Sequence, residues 1–216
     1  MATLYLMRHG QTEFNVKRLV QGHCDSPLTE LGVAQAHEAG AWIARQGVTF
    51  ARICTSPLGR AVKTAGIVRE ELAAGGDAVP AVPVAPVPDV EVVDGLIERD
   101  YGSFEQGPKD DVPGNLWDPG ESVVPFGGEG SRELRQRMVE TLTTLMLEAA
   151  RGAGDDGSNV LAVSHGSATR QFKLAWEHLA TCPQDAPIGN CCVLVYTFDP
   201  AERTFVNERI VNLPSA

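Results

Sequence analysis

Leu4-Tyr5-Leu6-Met7-Arg8-His9-Gly10 is repeated in kind, far along the chain, by Val160-Leu161-Ala162-Val163-Ser164-His165-Gly166. In each stretch a short apolar run ends in His-Gly. Such runs read as central strands of a parallel sheet. Open α/β sheets bind ligands just beyond the carboxyl ends of their strands. Each histidine therefore sits where such a fold does its chemistry, with a glycine behind it that lets the backbone turn sharply or approach a ligand. Two imidazoles and Arg8 together describe a site for an anion.

Working outward, Glu30 to Gln46 reads as a helix, with Thr29 as N-cap and Leu31, Ala34, Ala41 and Trp42 as its apolar face. Residues 51–55 form a short strand, and a helix follows from Leu58 to about Ala73, with Pro57 near its first turn and Gly75-Gly76 as its stop. The prolines between Val79 and Pro88 forbid a central strand and predict an extended surface spacer. Residues 90–93 are a further strand. Residues 102–130 are rich in Gly and Pro, with Phe104, Trp117 and Phe126 among them, and read as a lid whose aromatics either serve the site or only anchor the loop. Ser131 to Arg151 is an amphipathic helix with Leu134, Met138, Leu142, Leu145 and Met146 on one face and Ser131 at a capped start. A strand at 159–164, a helix from about Ser167 to Leu179 and a hairpin of Cys191–Phe198 with Thr204–Ile210 complete the chain. This order predicts one domain, 1–216, with a lid insertion around 99–130. Its fold class is α/β, a three-layer α/β/α sandwich on a mostly parallel central sheet with antiparallel edges.

Composition agrees. A chain of 216 residues with 43% hydrophobic and 21% charged residues suits one packed α/β domain. The net charge of -10 argues against nucleic acid and against an anionic membrane as partners. It leaves room for a small anionic substrate held by a local cluster of Arg and His. Cys24, Cys54, Cys182, Cys191 and Cys192 show no CxxC spacing and suggest reduced thiols. With no leader-like start and no bilayer-length apolar run, a cytoplasmic protein is expected. His23, His37 and His178 share no metal-ligand spacing, so no metal is expected.

An ordered set of motifs carries a resemblance. It comprises Arg8-His9-Gly10, Asn15, Gln21-Gly22, Pro27-Leu28-Thr29 with Gly32, Thr55-Ser56-Pro57 with Arg60 and Thr64, Glu98 with Gly102, and Ser164-His165-Gly166. Over nearly its whole length the chain resembles the histidine phosphatase superfamily, which includes the cofactor-dependent phosphoglycerate mutases. The resemblance implies a phosphoglycerate mutase-like fold and phosphoryl transfer through a phosphohistidine. The residues fit that chemistry. Arg8 and Arg60 can grip phosphate oxygens in bidentate fashion from one crevice. His9 can attack phosphorus. His165 can donate to the equatorial oxygens, where transition-state charge lies. Gly166 and the helix start behind it offer backbone N–H groups, and Asn15 adds a side-chain amide. The resemblance assigns Glu98 as general acid for the leaving alkoxide, with Glu13, Asp100 and Glu105 as local competitors.

Two activities share these parts. The lid segment 107–115 holds one lysine and two aspartates, which favours a phosphomonoester hydrolase acting on a small phosphorylated metabolite. Glu98-Arg99-Asp100-Tyr101-Gly102 resembles the mutase form instead, with Arg99 and Tyr101 on substrate, and Gln21 and Gly22 are further substrate-binding candidates. Gly128-Glu129-Gly130-Ser131 departs from the family's usual Gly-Glu-Ser. A hydrolase needs no cofactor; a mutase would use 2,3-bisphosphoglycerate as phosphoryl donor. Inorganic phosphate is expected as product or inhibitor. A homodimer fits the resemblance. A non-catalytic phospho-ligand-binding member would be expected to lack His9, Glu98 or an arginine, and all are present. Arg170, one helical turn past His165, suits either the site or a surface ion pair.

Overall fold

The protein is seen in a computed structural model that describes residues 2–75, 86–152 and 158–213. Most of the proline-rich spacer and the loop after the long helix lie outside the described residues.

Six strands form one sheet: β1 (Ala2–Arg8), β2 (Arg52–Thr55), β3 (Val90–Val92), β4 (Val160–Ser164), β5 (Val193–Asp199) and β6 (Thr204–Val211), in the order β3-β2-β4-β1-β5-β6. β3, β2, β4 and β1 are parallel, and β5 and β6 close the far edge in antiparallel pairing. β4 slots between β1 and β2, so the chain reverses its direction of travel across the sheet there. That is the switch point where such sheets open a crevice.

The sheet is covered on both faces, which is why its central strands are apolar throughout rather than alternating. Alternate strand residues feed two cores. Leu4, Leu6, Val160, Ala162 and Leu194 meet α4 (Ser131–Gly152) and α5 (Gly166–Trp176) on one face. Tyr5, Met7, Leu161, Val163 and Val193 meet α2 (Glu30–Arg45) and α3 (Gly59–Ala74) on the other. A short helix, α1 (Glu13–Lys17), follows β1. The predicted α4 face, from Leu134 to Met146, is buried as expected. Among the described residues no helix is long and apolar enough to cross a membrane.

Three local expectations are corrected. The buried face of α2 is Gly32, Ala36, Ala39, Gly40 and Ile43, and Ala34 faces solvent. Small residues face inward because α2 lies close on α3: a Cβ on Gly40 would collide with Glu71 and Val68. Ser131 does not cap α4, for it is the first helical residue and its hydroxyl donates to Asp118 Oδ1 at 2.7 Å. The helix after His165 ends at Trp176 and runs on as a 3-10 turn, Glu177–Leu179.

Residues 102–130 contain three 3-10 turns (Gly102–Phe104, Lys109–Asp111, Val124–Phe126) around a small core of Val20, Tyr101, Val112 and Val123. Phe104 and Phe126 pair edge to face at 4.9 Å within this lid, while Trp117 is directed at the pocket.

Candidate active site

The sheet register builds the floor of the pocket. Arg8 stands opposite Ser164 at the ends of β1 and β4, so His9 and His165 are the first residues beyond paired strands. The His9 amide still donates to the Ser164 carbonyl at 3.0 Å, and the two imidazoles lie 5.2 Å apart between centroids. Gly10 is required by packing: a Cβ there would run into the Gly32 carbonyl. Its amide donates to Thr64 Oγ1 at 3.1 Å, and Thr64 in turn donates to the Arg60 carbonyl at 2.7 Å.

His9 Nδ1 lies 2.7 Å from the Gly10 carbonyl. A carbonyl only accepts, so Nδ1 carries the proton and Nε2 the lone pair. Burial, then Arg60 and Arg8, push the pKa of His9 well below 6.5. The ring is neutral, with the Nε2 lone pair available for bonding. His165 is set up in the opposite sense. Its Nε2 lies 2.6 Å from Ser56 Oγ, which already accepts the Leu58 amide at 3.3 Å. The Ser56 proton finds no other acceptor among the described residues, so donation to Nε2 satisfies it and places the His165 proton on Nδ1. That atom is buried and has no partner among the described residues. Burial, Arg60 and His9 hold the pKa of His165 well below 6.5 as well. It is a neutral N–H donor rather than an imidazolium. Ser56 had no assigned role from sequence. A hydroxyl at the carboxyl end of β2, next to β4, was the available signal.

The arginines serve as both grip and frame. Arg8 Nη1 donates to the Ile188 carbonyl at 3.0 Å, and its guanidinium stacks 4.7 Å over Trp117. Burial lowers its pKa to about 10, opposed by the charge of Glu98, so it stays cationic at neutral pH. Arg60 is buried and holds the loop beneath it, donating to the Cys24 carbonyl (2.8 Å), Asp25 Oδ1 (3.0 Å) and the Gly22 carbonyl (2.8 Å). The Nε atoms of both arginines are buried without partners among the described residues. Those unpaired donors are what an incoming phosphate can satisfy.

Asn15 and Gln21 present amide nitrogens by having their oxygens engaged. Thr12 donates its amide to Asn15 Oδ1 (3.1 Å) and its hydroxyl to Gln21 Oε1 (3.0 Å). The Asn15 bond is half of the capping box that starts α1. Gly22 has φ +57°, which favours glycine, and turns the loop under Arg60.

Glu98 sits at the N-terminus of α5. Its Oε1 accepts the amides of Arg99 and Ala168 (both 2.9 Å), and its Oε2 accepts that of Ser167 (3.0 Å). This corrects the expectation that the helix amides face the phosphate: beyond Gly166, the first two are taken by Glu98. The competitors for its role are elsewhere. Glu13 pairs with Lys17, Asp100 accepts the Gly102 amide, and Glu105 binds the amides of His23, Cys24 and Tyr101.

Arg99 is not brought into the pocket. The extended segment points neighbouring side chains to opposite sides, so with Glu98 inward Arg99 is fully buried on the far side. There it donates to the Glu129 carbonyl (2.7 Å) and Ser131 Oγ (3.0 Å). Tyr101 does line the pocket, donating to the Leu116 carbonyl (2.7 Å) with Ser167 Oγ at 2.6 Å.

The pocket is small, about 50 Å³, and open to solvent, lined by Arg8, His9, Arg60, Glu98, Lys109 and Trp117 among others. That is room for a few waters or a phosphate group. Lys109 and Trp117 were not singled out as site residues. Burial and the nearby Arg8 and Arg18 lower the pKa of Lys109, whereas Asp110 and Asp111 face solvent. Trp117 covers Gly166 so closely that a Cβ there would meet its ring. Its turn is latched by Asp118, which accepts Ser131 Oγ (2.7 Å) and Gln171 Nε2 (2.8 Å).

The chain is similar to known proteins over nearly its whole length. Residues 4–210 match the Histidine phosphatase superfamily (branch 1). A 2,3-bisphosphoglycerate-dependent phosphoglycerate mutase of Methylorubrum extorquens is 32% identical over 187 residues, covering 82% of this chain and 80% of that protein. The solved structure of YhfR from Bacillus stearothermophilus is 28% identical, with a TM-score of 0.66 and coverage of 95% and 94% of the two chains. A mycobacterial glucosyl-3-phosphoglycerate phosphatase shares the fold at 23% identity, with a TM-score of 0.74 and 99% of each chain covered.

Proposed function

The chain belongs to the histidine phosphatase superfamily, and from that premise we propose that it hydrolyses small phosphomonoesters through a phosphohistidine on His9. In the first step His9 Nε2 forms a bond to phosphorus while the ester P–O bond breaks. Glu98 gives its proton to the departing alkoxide. Oε2 suits that task because it accepts one amide where Oε1 accepts two. In the second step Glu98, now a carboxylate, takes a proton from water, the water oxygen bonds to phosphorus and the N–P bond breaks. Phosphate leaves and His9 is neutral again. The Arg8 and Arg60 donors and the His165 Nδ1 proton meet the charge on the equatorial oxygens in both steps.

The observation that carries hydrolysis over mutase chemistry is the position of Arg99. With that guanidinium buried against α4, Lys109 is the one cation that the lid adds to the pocket lining among the described residues. A mutase must hold a phosphoglycerate carboxylate, and let the intermediate turn, without losing its phosphate to water.

Mutase activity is the second reading. It is favoured by Lys109 itself and by curated relatives named as 2,3-bisphosphoglycerate-dependent mutases. On that reading 2,3-bisphosphoglycerate primes His9; on the hydrolase reading no cofactor is needed and phosphate inhibits as product. A panel of phosphomonoesters that includes 3-phosphoglycerate, with and without 2,3-bisphosphoglycerate, separates the two. Phosphate release without a requirement for the bisphosphate is expected. Formation of 2-phosphoglycerate outpacing phosphate release would reverse the assignment.

A further inference from the structure

Behind the Trp117 ring lies a second concavity, an open groove of about 490 Å³ lined by Asn115, Arg170, Lys173, Gln184, Pro187 and Ile188. Its volume is that of a site for a small organic molecule. The wall between it and the catalytic pocket is thin. Trp117 lines both, and Arg8 touches the wall twice, through the Trp117 ring and through the Ile188 carbonyl. A phosphate gripped by Arg8 therefore lies beside the groove.

The polar groups of the groove do not satisfy one another. Arg170 has no hydrogen-bonding or ion-pair partner among the described residues, and its Nε is buried. The surface ion pair that would explain it is absent there. Lys173 is 7% exposed and ion-paired with Glu177 at 3.8 Å, a separation that leaves its Nζ hydrogens unbonded. Gln184 Oε1 is buried without a donor. Asp185 is the one acid among the described residues lining the groove; the Asp118 carboxylate feels the charge of Arg170, but its hydrogen bonds go to Ser131 and Gln171. Leaving a buried guanidinium nitrogen unpaired is costly, and a bound oxyanion removes that cost.

We propose that this groove takes the alcohol end of the substrate, and that Arg170, with Lys173 beside it, receives a second oxyanion there. The substrate class is a phosphomonoester bearing a carboxylate or further phosphate beyond a spacer, with hydroxyls for Asn115 and Gln184. The inference rests on the hydrolase reading for the identity of the first pocket. It accounts for a lid that offers a single lysine: the second anion is bound past Trp117, not under the lid.

The test uses terminally phosphorylated alkanoic acids of increasing length, the matching neutral hydroxyalkyl phosphates, and the matching alkane bisphosphates. At one spacer length the acid or the bisphosphate is expected to exceed the neutral ester about tenfold in kcat/KM, the worth of one charge-assisted hydrogen bond. Which of the two gains identifies the oxyanion. Arg170→Ala should cut that ratio about tenfold, mainly through KM, with Arg170→Lys retaining part of it. Both esters are measured on the same preparation, so a loss of folded protein cancels. Calorimetric affinities of the same compounds for His9→Ala form an independent arm. A charge preference in binding without turnover of any ester would sink the hydrolase reading and leave the groove standing. Equal handling of charged and neutral esters at every length, or a preference that survives Arg170→Ala, overturns the groove.

Discussion

The floor of the pocket hangs from the sheet, whereas the lid is held by side chains. His9 and His165 follow strands paired up to Arg8 opposite Ser164, and their backbones cannot move without breaking the β1–β4 ladder. Trp117 is held by a turn whose anchor is a chain of polar contacts from Arg99 through Ser131 and Asp118 to Gln171. Arg135 completes that chain by donating to Gln171 Oε1 at 2.8 Å. The floor fixes reacting atoms by main-chain geometry and so suits chemistry common to a family. The lid fixes its residues by a few replaceable bonds and so suits a choice of substrate.

Breaking the floor should have the largest effect. His9→Ala removes the proposed nucleophile, so turnover should drop about a thousandfold or more and no acid-labile phosphoenzyme should form, as followed with a labelled ester. A variant that still traps label on protein would show that another residue is the nucleophile. Glu98→Gln should slow alkyl phosphates about a hundredfold, and p-nitrophenyl phosphate far less, because a good leaving group needs no proton. Equal slowing of the two would remove Glu98 from the acid role. Ser56→Ala should lower kcat about tenfold, the worth of one hydrogen bond. It should also mix the His165 tautomers, visible in ring nitrogen chemical shifts. A lower kcat with Nδ1–H still the single tautomer contradicts the role given to Ser56.

Acid should also find the floor. In the folded protein His9 and His165 titrate well below 6.5, through burial first and the neighbouring arginines second. Unfolded, they titrate near 6.5. Below that value the unfolded chain binds more protons than the folded one, so stability must fall as pH falls. The melting temperature of ligand-free protein is expected to drop on acidification from about pH 7. In a His9→Gln, His165→Gln variant that drop should be smaller, and an unchanged slope would place the titration elsewhere.

The lid should give the smallest kinetic effect. Ser131→Ala leaves Arg99 Nη2 and Asp118 each short of a partner and should cost about 1–3 kcal/mol of stability. Rates should change only a few-fold, with faster amide exchange around Trp117. A loss as large as that of Glu98→Gln would erase the distinction between floor and lid.

How far the sequence could be read follows the same division. Strand ends, His-Gly turns, Thr29 as a cap and the α4 face are set by neighbours in the chain, and each stands where it was expected. The roles of Ser56, Trp117, Lys109 and Arg170 depend on residues far away in sequence. The α2 face was misread because its packing uses glycines, which carry no hydrophobic signal. Arg99 was misplaced because a motif gives residue order but not the side of the strand a side chain takes.

By itself, then, the sequence determined an α/β sheet and pointed to the carboxyl ends of two strands as the candidate anion site. Period, capping and strand-end chemistry are local, and they need no knowledge of what packs against them. Only the tertiary structure decided which ring nitrogen of each histidine carries the proton, that Glu98 occupies the first amides of α5 beyond Gly166, and that Arg170 faces a groove with no hydrogen bond among the described residues. Those outcomes are set by hydrogen bonds between residues far apart in the chain, whose meeting is fixed by the register of the sheet and the packing of helices upon it.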